Sequence, residues 1–243
     1  MKGIILAGGI GSRLEKLTSV LNKHLVAVGK YPMIEYPLST LRRLGVEEDI
    51  IVVTGSDHVG TIVQYLTKEH PRINFTYKVQ KEARGIAQAL GLVEGICKNE
   101  KIAVILGDNI FEQDFSEEAK YFEKLDNGAM FFFKEVSNPM RFGVPIIDKG
   151  RLIGIEEKPK QPRSNLAVTG LYFFDKQVFD FIKNLKPSER GEYEISDVNE
   201  QYIQQGRAMF KVISGFWSDA GTHESRKLAE DYVYGRNLIF FKE

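Results

Sequence analysis

Apolar positions in the first half of the chain fall into short continuous runs, separated by stretches in which they recur every three or four residues. Lys2–Leu6 reads as a short apolar strand, Pro32–Leu44 has a helical period with proline at its start, and Asp49–Thr54 is a second, β-branched strand. The alternation continues with a helix at about Val59–Lys68, a strand at Ile73–Val79, a helix at about Ile86–Cys97 and a strand at Ile102–Leu106. Strands without polar interruption, alternating with helices, predict a parallel sheet covered on both faces. The expected fold is therefore α/β and doubly wound.

The pattern changes after residue 128. Ala129–Val136, Phe142–Ile147, Leu152–Glu156 and Val168–Phe174 are closely spaced strands, and Asp148-Lys149-Gly150 has the composition of a hairpin turn. Helical periods return at Lys176–Leu185, Ser196–Gln205 and Thr222–Arg236. No long polar linker, internal repeat or low-complexity segment divides the chain. One continuous domain is expected, with an antiparallel region inserted into a mostly parallel sheet. The Phe131-Phe132-Phe133 run reads as core strand.

Composition narrows the function without naming it. The chain has 243 residues, 33 Lys+Arg against 33 Asp+Glu, and one cysteine, Cys97. That length can bury a substantial core, and a single cysteine cannot close an intrachain disulfide, which fits a reducing compartment. Zero net charge offers no basic surface for a nucleic-acid backbone. Gly3–Ala7 is shorter than the apolar core of a signal peptide and runs straight into glycines. No run approaches the roughly 20 apolar residues that cross a bilayer. A soluble cytoplasmic protein with neither nucleic-acid nor membrane partner is expected.

The segment Leu6-Ala7-Gly8-Gly9-Ile10-Gly11-Ser12-Arg13-Leu14 leaves the first strand. Its glycines allow a tight turn that presents N–H groups to an anion, and Arg13 adds a planar fork suited to phosphate oxygens. A plain strand-to-helix turn would use the same glycines; Arg13, and Lys23 ten residues on, favour phosphate. The dinucleotide fingerprint does not fit, because Leu14 stands where its third glycine belongs and Thr54-Gly55 replaces the acid of the second strand. GxxxxGK[ST] is absent. Asp108 follows the fourth parallel strand, where ligands of doubly wound sheets bind, and is placed either to hold Mg²⁺ or to cap a turn. A second acid, Asp219, precedes the last helix and completes a two-carboxylate site if it folds back beside Asp108. Glu157 and Lys158 share one pocket if the strand pleat breaks at Pro159, and otherwise form a solvated charge cluster. The four histidines lack metal-ligand spacing, and no nucleophile signature is present.

Taken in order and spacing, LAGGIGSRL, NKHLVAVGKYPMIEYPLSTL, VQKEARGIAQAL, VILGDNIF, RFGV, EEKPKQP, AVTGLYFFD, RGEYEISDVN and WSDAGTHES resemble the sugar-1-phosphate nucleotidylyltransferases, and most closely the glucose-1-phosphate thymidylyltransferases. The resemblance spans nearly the whole chain. It implies the reaction of dTTP with glucose 1-phosphate to give dTDP-glucose and pyrophosphate, assisted by Mg²⁺. It also implies a division into about residues 1–128 for the nucleotide, 129–221 for the sugar phosphate and 222–243 for a C-terminal helix.

Carried over residue by residue, the resemblance implies that Leu6, Ala7, Gly8, Gly9, Gly11, Ser12 and Arg13 line the nucleotide, with Arg13 and Lys23 as electrostatic catalysts. Gln80, helped by backbone at Gly85, would read the base. Its amide carries both a donor and an acceptor, matching the N3–H and O4 edge shared by thymine and uracil, so UTP is the natural alternative to dTTP. Asp108 and Asp219 would hold the metal, and Trp217 would order the second of them. Gly143, Glu157 and Val168 would contact the glucosyl group, and Lys158 its phosphate.

Two departures stand out. Glu15-Lys16 replaces the usual Tyr-Pro, and Val26-Ala27-Val28 replaces Leu-Pro-Val. They keep open a second reading, a nucleotide-sugar-binding regulatory protein without turnover. The chain resembles the short members of the family, which implies that feedback regulation through extra C-terminal helices is missing or altered. Homo-oligomers are expected, with Ile239-Phe240-Phe241 facing either the core or another subunit.

Overall fold

The computed structural model describes residues 1–9, 14, 18, 21–236 and 238. The strands in chain order are β1 (Lys2–Ala7), the two-residue β2 (Ala27–Val28) and β3 (Tyr31–Pro32), β4 (Asp49–Gly55), β5 (Asn74–Gln80), β6 (Ile102–Leu106) and β7 (Ile110–Phe111). They continue with β8 (Ala129–Glu135), β9 (Gly143–Asp148), β10 (Arg151–Glu157), β11 (Leu166–Phe174), β12 (Ala208–Ile213) and β13 (Trp217–Ser218). The α-helices are α1 (Glu35–Arg43), α2 (Val59–Glu69), α3 (Ile86–Gly91), α4 (Glu94–Cys97), α5 (Ser116–Glu123), α6 (Val178–Lys183), α7 (Ile195–Gln204) and α8 (His223–Val233).

A seven-stranded sheet runs β12-β8-β11-β6-β1-β4-β5. Its β5, β4, β1 and β6 are mutually parallel, β12 is parallel to β8, and β11 runs antiparallel to both β6 and β8. Both faces are covered, as continuous apolar strands require. Ile4, Leu6, Val104, Phe131 and Phe133 pack into one core, and Ile5, Ala7, Val52, Ile105 and Phe132 into the other. The phenylalanine run is thus core strand, shared between two faces.

The inserted antiparallel element is narrower than the pattern of the second half predicts. Only β9 and β10 stand apart as a two-stranded ribbon, while β8 and β11 join the main sheet. The ribbon turns at Lys149 and Gly150, both at positive φ (46° and 76°), between the paired residues Asp148 and Arg151. That is the left-handed turn a two-residue hairpin needs. The helix expected at Pro32–Leu44 starts three residues later, because Pro32 pairs with Ala27 in the β2–β3 ribbon. The helix expected at Ile86–Cys97 is divided into α3 and α4, with Gly91, a weak helix former, at the break. Edge strand β12 escaped the pattern because Lys211 and Val212 are exposed in succession and no alternation remains. In α8, Thr222 and Ser225 form a reciprocal capping box that fixes the start of the helix.

Candidate active site

The parallel strands β1, β5 and β6 end on one side of the sheet, and residues at their carboxyl ends line a cleft of about 360 Å³. Two features bring the second half of the chain to that edge. Trp217 and Ser218 of β13 pair with Phe111 and Ile110 of β7, which holds the segment carrying Asp219 against the segment carrying Asp108. Strand β11 also bulges: Val168 pairs with Phe133 and Tyr172 with Phe131, so two extra residues loop out. Within the bulge, the Gly170 N–H donates to Asn109 Oδ1 at 2.9 Å, and a Cβ on Gly170 would come within 2.6 Å of the Asn109 side chain.

Asp108 is held on both carboxylate oxygens. Lys23 Nζ donates to Oδ2 at 2.5 Å and Asn109 Nδ2 donates to Oδ1 at 2.9 Å. Lys23 opens a short 3₁₀ turn, Lys23–Leu25, where the Asn22 side chain accepts from the His24 N–H. The orientation of Asn109 follows from its neighbours. Its Oδ1 accepts from the Gly170 N–H and, at 2.7 Å, from the Trp217 indole, so its amide nitrogen is left for Asp108. Burial pushes the Asp108 carboxyl upward, but the charge and hydrogen bond of Lys23 outweigh it and hold it below the usual carboxylate range.

Asp219 lines the same cleft, and Arg141 donates to its Oδ2 at 3.1 Å. Burial, then the charge of Asp108, raises its carboxyl above the ordinary value, with Arg141 opposing both. The two acids are close enough to repel, and each already has a cation on it. Among the described residues no group of three or more His, Cys, Asp or Glu gathers as a metal cage. Two carboxylates fit a hard divalent ion that keeps waters and takes phosphate oxygens as its remaining ligands.

On the other wall, β10 ends at Glu157, and Lys158 turns at φ 45° with its N–H bonded to the Phe142 carbonyl. This positive φ brings both side chains to one pocket, their charged atoms 3.5 Å apart. Ser196 donates to Glu157 Oε2 at 2.5 Å, and Arg190 stands 3.8 Å from Oε1. Gly143 has no side chain where one would meet Ile155, Glu157 and Val168. Two residues expected around the sugar, Glu157 and Val168, thus converge on a third, Gly143.

Leu6, Gly8, Gly9, Gln80, Gly85, Asp108 and Lys23 also line the cleft. Gly8 must lack a side chain for a local reason: a Cβ there would come within 2.0 Å of Gln80 Oε1. Ala7 is buried, with its methyl toward Gly107. A second cavity of about 310 Å³ adjoins over Gly8 and Gly9, bordered by Thr18, Asn22, Gly55 and His58. Gly11, Ser12, Arg13, the Glu15-Lys16 departure and Ile239-Phe240-Phe241 lie outside the described residues. Trp217 departs from its expected role, since its indole N–H bonds Asn109, the neighbour of Asp108, rather than Asp219. Sequence reasoning missed Asn109, Arg141, Arg190 and Ser196. The first three stand inside the quoted segments GDN, RFGV and RGEYEISDVN, and Ser196 stands in the last as well.

Paired acids, two cations and a glycine turn at the carboxyl edge of a doubly wound sheet are groups whose chemistry suits phosphate. The chain belongs to the nucleotidyl transferase family, whose model matches residues 2–232. It is 43% identical over 238 residues to a glucose-1-phosphate thymidylyltransferase of Neisseria meningitidis, covering 96% of this chain and 82% of that one. It is 39% identical over 237 residues to the protein of the same name from Mycobacterium tuberculosis, with the same coverage. A Bacillus anthracis crystal structure, described as a glucose-1-phosphate thymidylyltransferase candidate in complex with sucrose, superposes with a TM-score of 0.92 at 47% identity, covering 100% of this chain and 98% of that one. A UDP-glucose pyrophosphorylase complexed with UDP-glucose shares the fold, with a TM-score of 0.86 at 24% identity, covering 97% of this chain and 99% of that one. The family points to a divalent metal.

Proposed function

We propose that this chain transfers a thymidylyl group from dTTP to glucose 1-phosphate, giving dTDP-glucose and pyrophosphate, with Mg²⁺ as the divalent metal. The observation that carries the reading is the meeting of two oppositely built walls in one cleft. One has Asp108 and Asp219, each bearing a cation, beside the Gly8–Gly9 turn; the other has Glu157 and Lys158 around Gly143. Identity of 39–43% over 96% of the chain to proteins named for that reaction supports it.

A phosphate monoester has a second pKa near 6, so glucose 1-phosphate is mostly dianionic at neutral pH and needs no base to deprotonate it. One of its oxygens attacks the α-phosphorus of dTTP, the bond from that phosphorus to the bridging oxygen breaks, and pyrophosphate leaves with the electron pair. The chain has only to align and neutralise. Lys158 holds the sugar phosphate, and Glu157, oriented by Ser196, accepts from sugar hydroxyls. Val168 lies under the ring, and the absent side chain of Gly143 makes room for it. Gln80 addresses the base, and the cavity over Gly8 and Gly9 suits the phosphate chain. Lys23 exchanges Asp108 for phosphate oxygens as nucleotide enters, and Arg141 does the same from Asp219. Asp108 and Asp219 would hold Mg²⁺, which when bound offsets charge on the phosphates.

A cytoplasmic setting is part of this reading, because the reaction draws on a nucleoside triphosphate; no helix among the described residues is long and apolar enough to cross a membrane. The test is pyrophosphate release over a matrix of dTTP, UTP and dCTP against several hexose 1-phosphates, with and without Mg²⁺. The fastest release is expected from dTTP with glucose 1-phosphate, and only with metal. UTP as the better nucleotide would reassign the base preference. No release from any pair would favour the regulatory-protein reading.

A further inference from the structure

Gln80 closes β5 with only 5% of its surface exposed. A primary amide has two N–H donors and one carbonyl acceptor, so its orientation follows from its partners. Nε2 of Gln80 lies 3.3 Å from the Gly85 carbonyl oxygen and 2.6 Å from Gln88 Oε1. The Gly85 carbonyl can only accept, which fixes Nε2 on that side, and Gln88 Oε1 is its shorter partner. Oε1 of Gln80 is left on the side of Gly8, where a Cβ would come within 2.0 Å of it. Gln88 itself is held in place by the start of α3. Gly85 precedes that helix at φ 102°, and a Cβ there would come within 2.4 Å of the Tyr193 carbonyl, so the turn presenting Gln88 tolerates little change.

We infer that Gln88 is a specificity-determining positioning residue: by accepting from the Gln80 amide nitrogen, it fixes which way that amide faces, so that Oε1 is the atom that meets the ring N–H of the nucleobase. The inference rests on the reading of Gln80 as the base contact. A base that meets Oε1 must bring an N–H. Thymine and uracil do so with N3–H, whereas the matching ring nitrogen of cytosine carries a lone pair and opposes Oε1.

Gln88 touches the base only through Gln80, so the test must separate positioning from packing. Gln88→Met removes the acceptor at similar length, and Gln88→Glu keeps it; Gln88→Leu serves as a second apolar replacement if the methionine variant fails to fold. The readouts are the KM for dTTP and the inhibition constant of dCTP as its competitor. Loss of one hydrogen bond should lower the ratio of the second to the first by about 3- to 10-fold in Gln88→Met. The KM for glucose 1-phosphate should stay put, and Gln88→Glu should retain the wild-type ratio. An unchanged ratio in Gln88→Met, with collapse in Gln80→Met, would overturn the role of Gln88 and leave the base contact standing. An unchanged ratio in both would overturn the base contact and the inference with it. A drop in kcat alone, with the ratio intact, would reduce Gln88 to a structural residue.

Discussion

Asp108 and Glu157 are both carboxylates beside a cation in one cleft, yet they are held in different ways. Asp108 follows a strand at the centre of the sheet, and its partner Asn109 is itself gripped by the Trp217 indole and the Gly170 N–H. Glu157 ends a two-stranded ribbon outside the sheet, and its side chain is 28% exposed beside Arg190 and Lys158 at 40% and 38%. Half-exposed ion pairs contribute little to stability, so they exchange readily for the groups of a ligand. The Asn109 contacts buried behind Asp108 do not exchange so readily, even where Lys23 and Arg141 move onto phosphate. The proposed metal wall is therefore built before substrate arrives, and the sugar wall is completed by it.

The largest effect should come from the fixed wall. Asp108→Asn is expected to lower kcat by about 10²–10³-fold or more, with a thermal melt close to wild type. Near-normal Mg²⁺-dependent turnover in that variant would remove Asp108 from the metal. Next in size, Asn109→Ala leaves the Trp217 and Gly170 N–H groups without their acceptor in a buried setting. That should cost roughly 1–3 kcal/mol in urea unfolding. Ser196→Ala on the sugar wall should cost less, and equal losses would erase the contrast between the walls.

Lys158→Ala should raise the KM for glucose 1-phosphate by about tenfold and leave that for dTTP nearly unchanged, as loss of one charge-assisted contact implies. A matching rise for both substrates would take Lys158 away from the sugar phosphate. The remaining effect concerns pH and stability rather than turnover. Burial, then the charge of Lys23, lowers His24 from 6.5 to about 3. The unfolded chain takes up a proton below pH 6.5 that the folded chain refuses until about pH 3, so this residue drains stability as pH falls through that window. His24→Gln should flatten the decline in urea midpoint between pH 6.5 and 4. A slope equal to wild type would mean that His24 is protonated in place.

The sheet was legible because parallel strands buried on both faces leave unbroken apolar runs such as those ending at Ala7, Thr54 and Leu106. Edge strand β12 and the break at Gly91 were not, since exposure removes the pattern in one and a single residue makes the other. The resemblance pointed to Asp108, Asp219, Glu157 and Lys158 as candidates, and the fold brings them into one cleft. The two-residue pairing of β13 with β7 that joins Asp108 to Asp219 has no periodicity to detect. Asn109 stayed hidden for another reason: its importance lies in partners 61 and 108 residues away, a backbone N–H and an indole that meet only in the folded chain.

In the proposed reaction the sugar phosphate itself attacks the α-phosphorus, and no nucleotidyl group is ever carried by the chain. Exchange of labelled pyrophosphate into dTTP tests this most directly. Exchange is expected when glucose 1-phosphate is present and none when it is withheld. Exchange at a similar rate without the sugar phosphate would require a covalent nucleotidyl intermediate and contradict it.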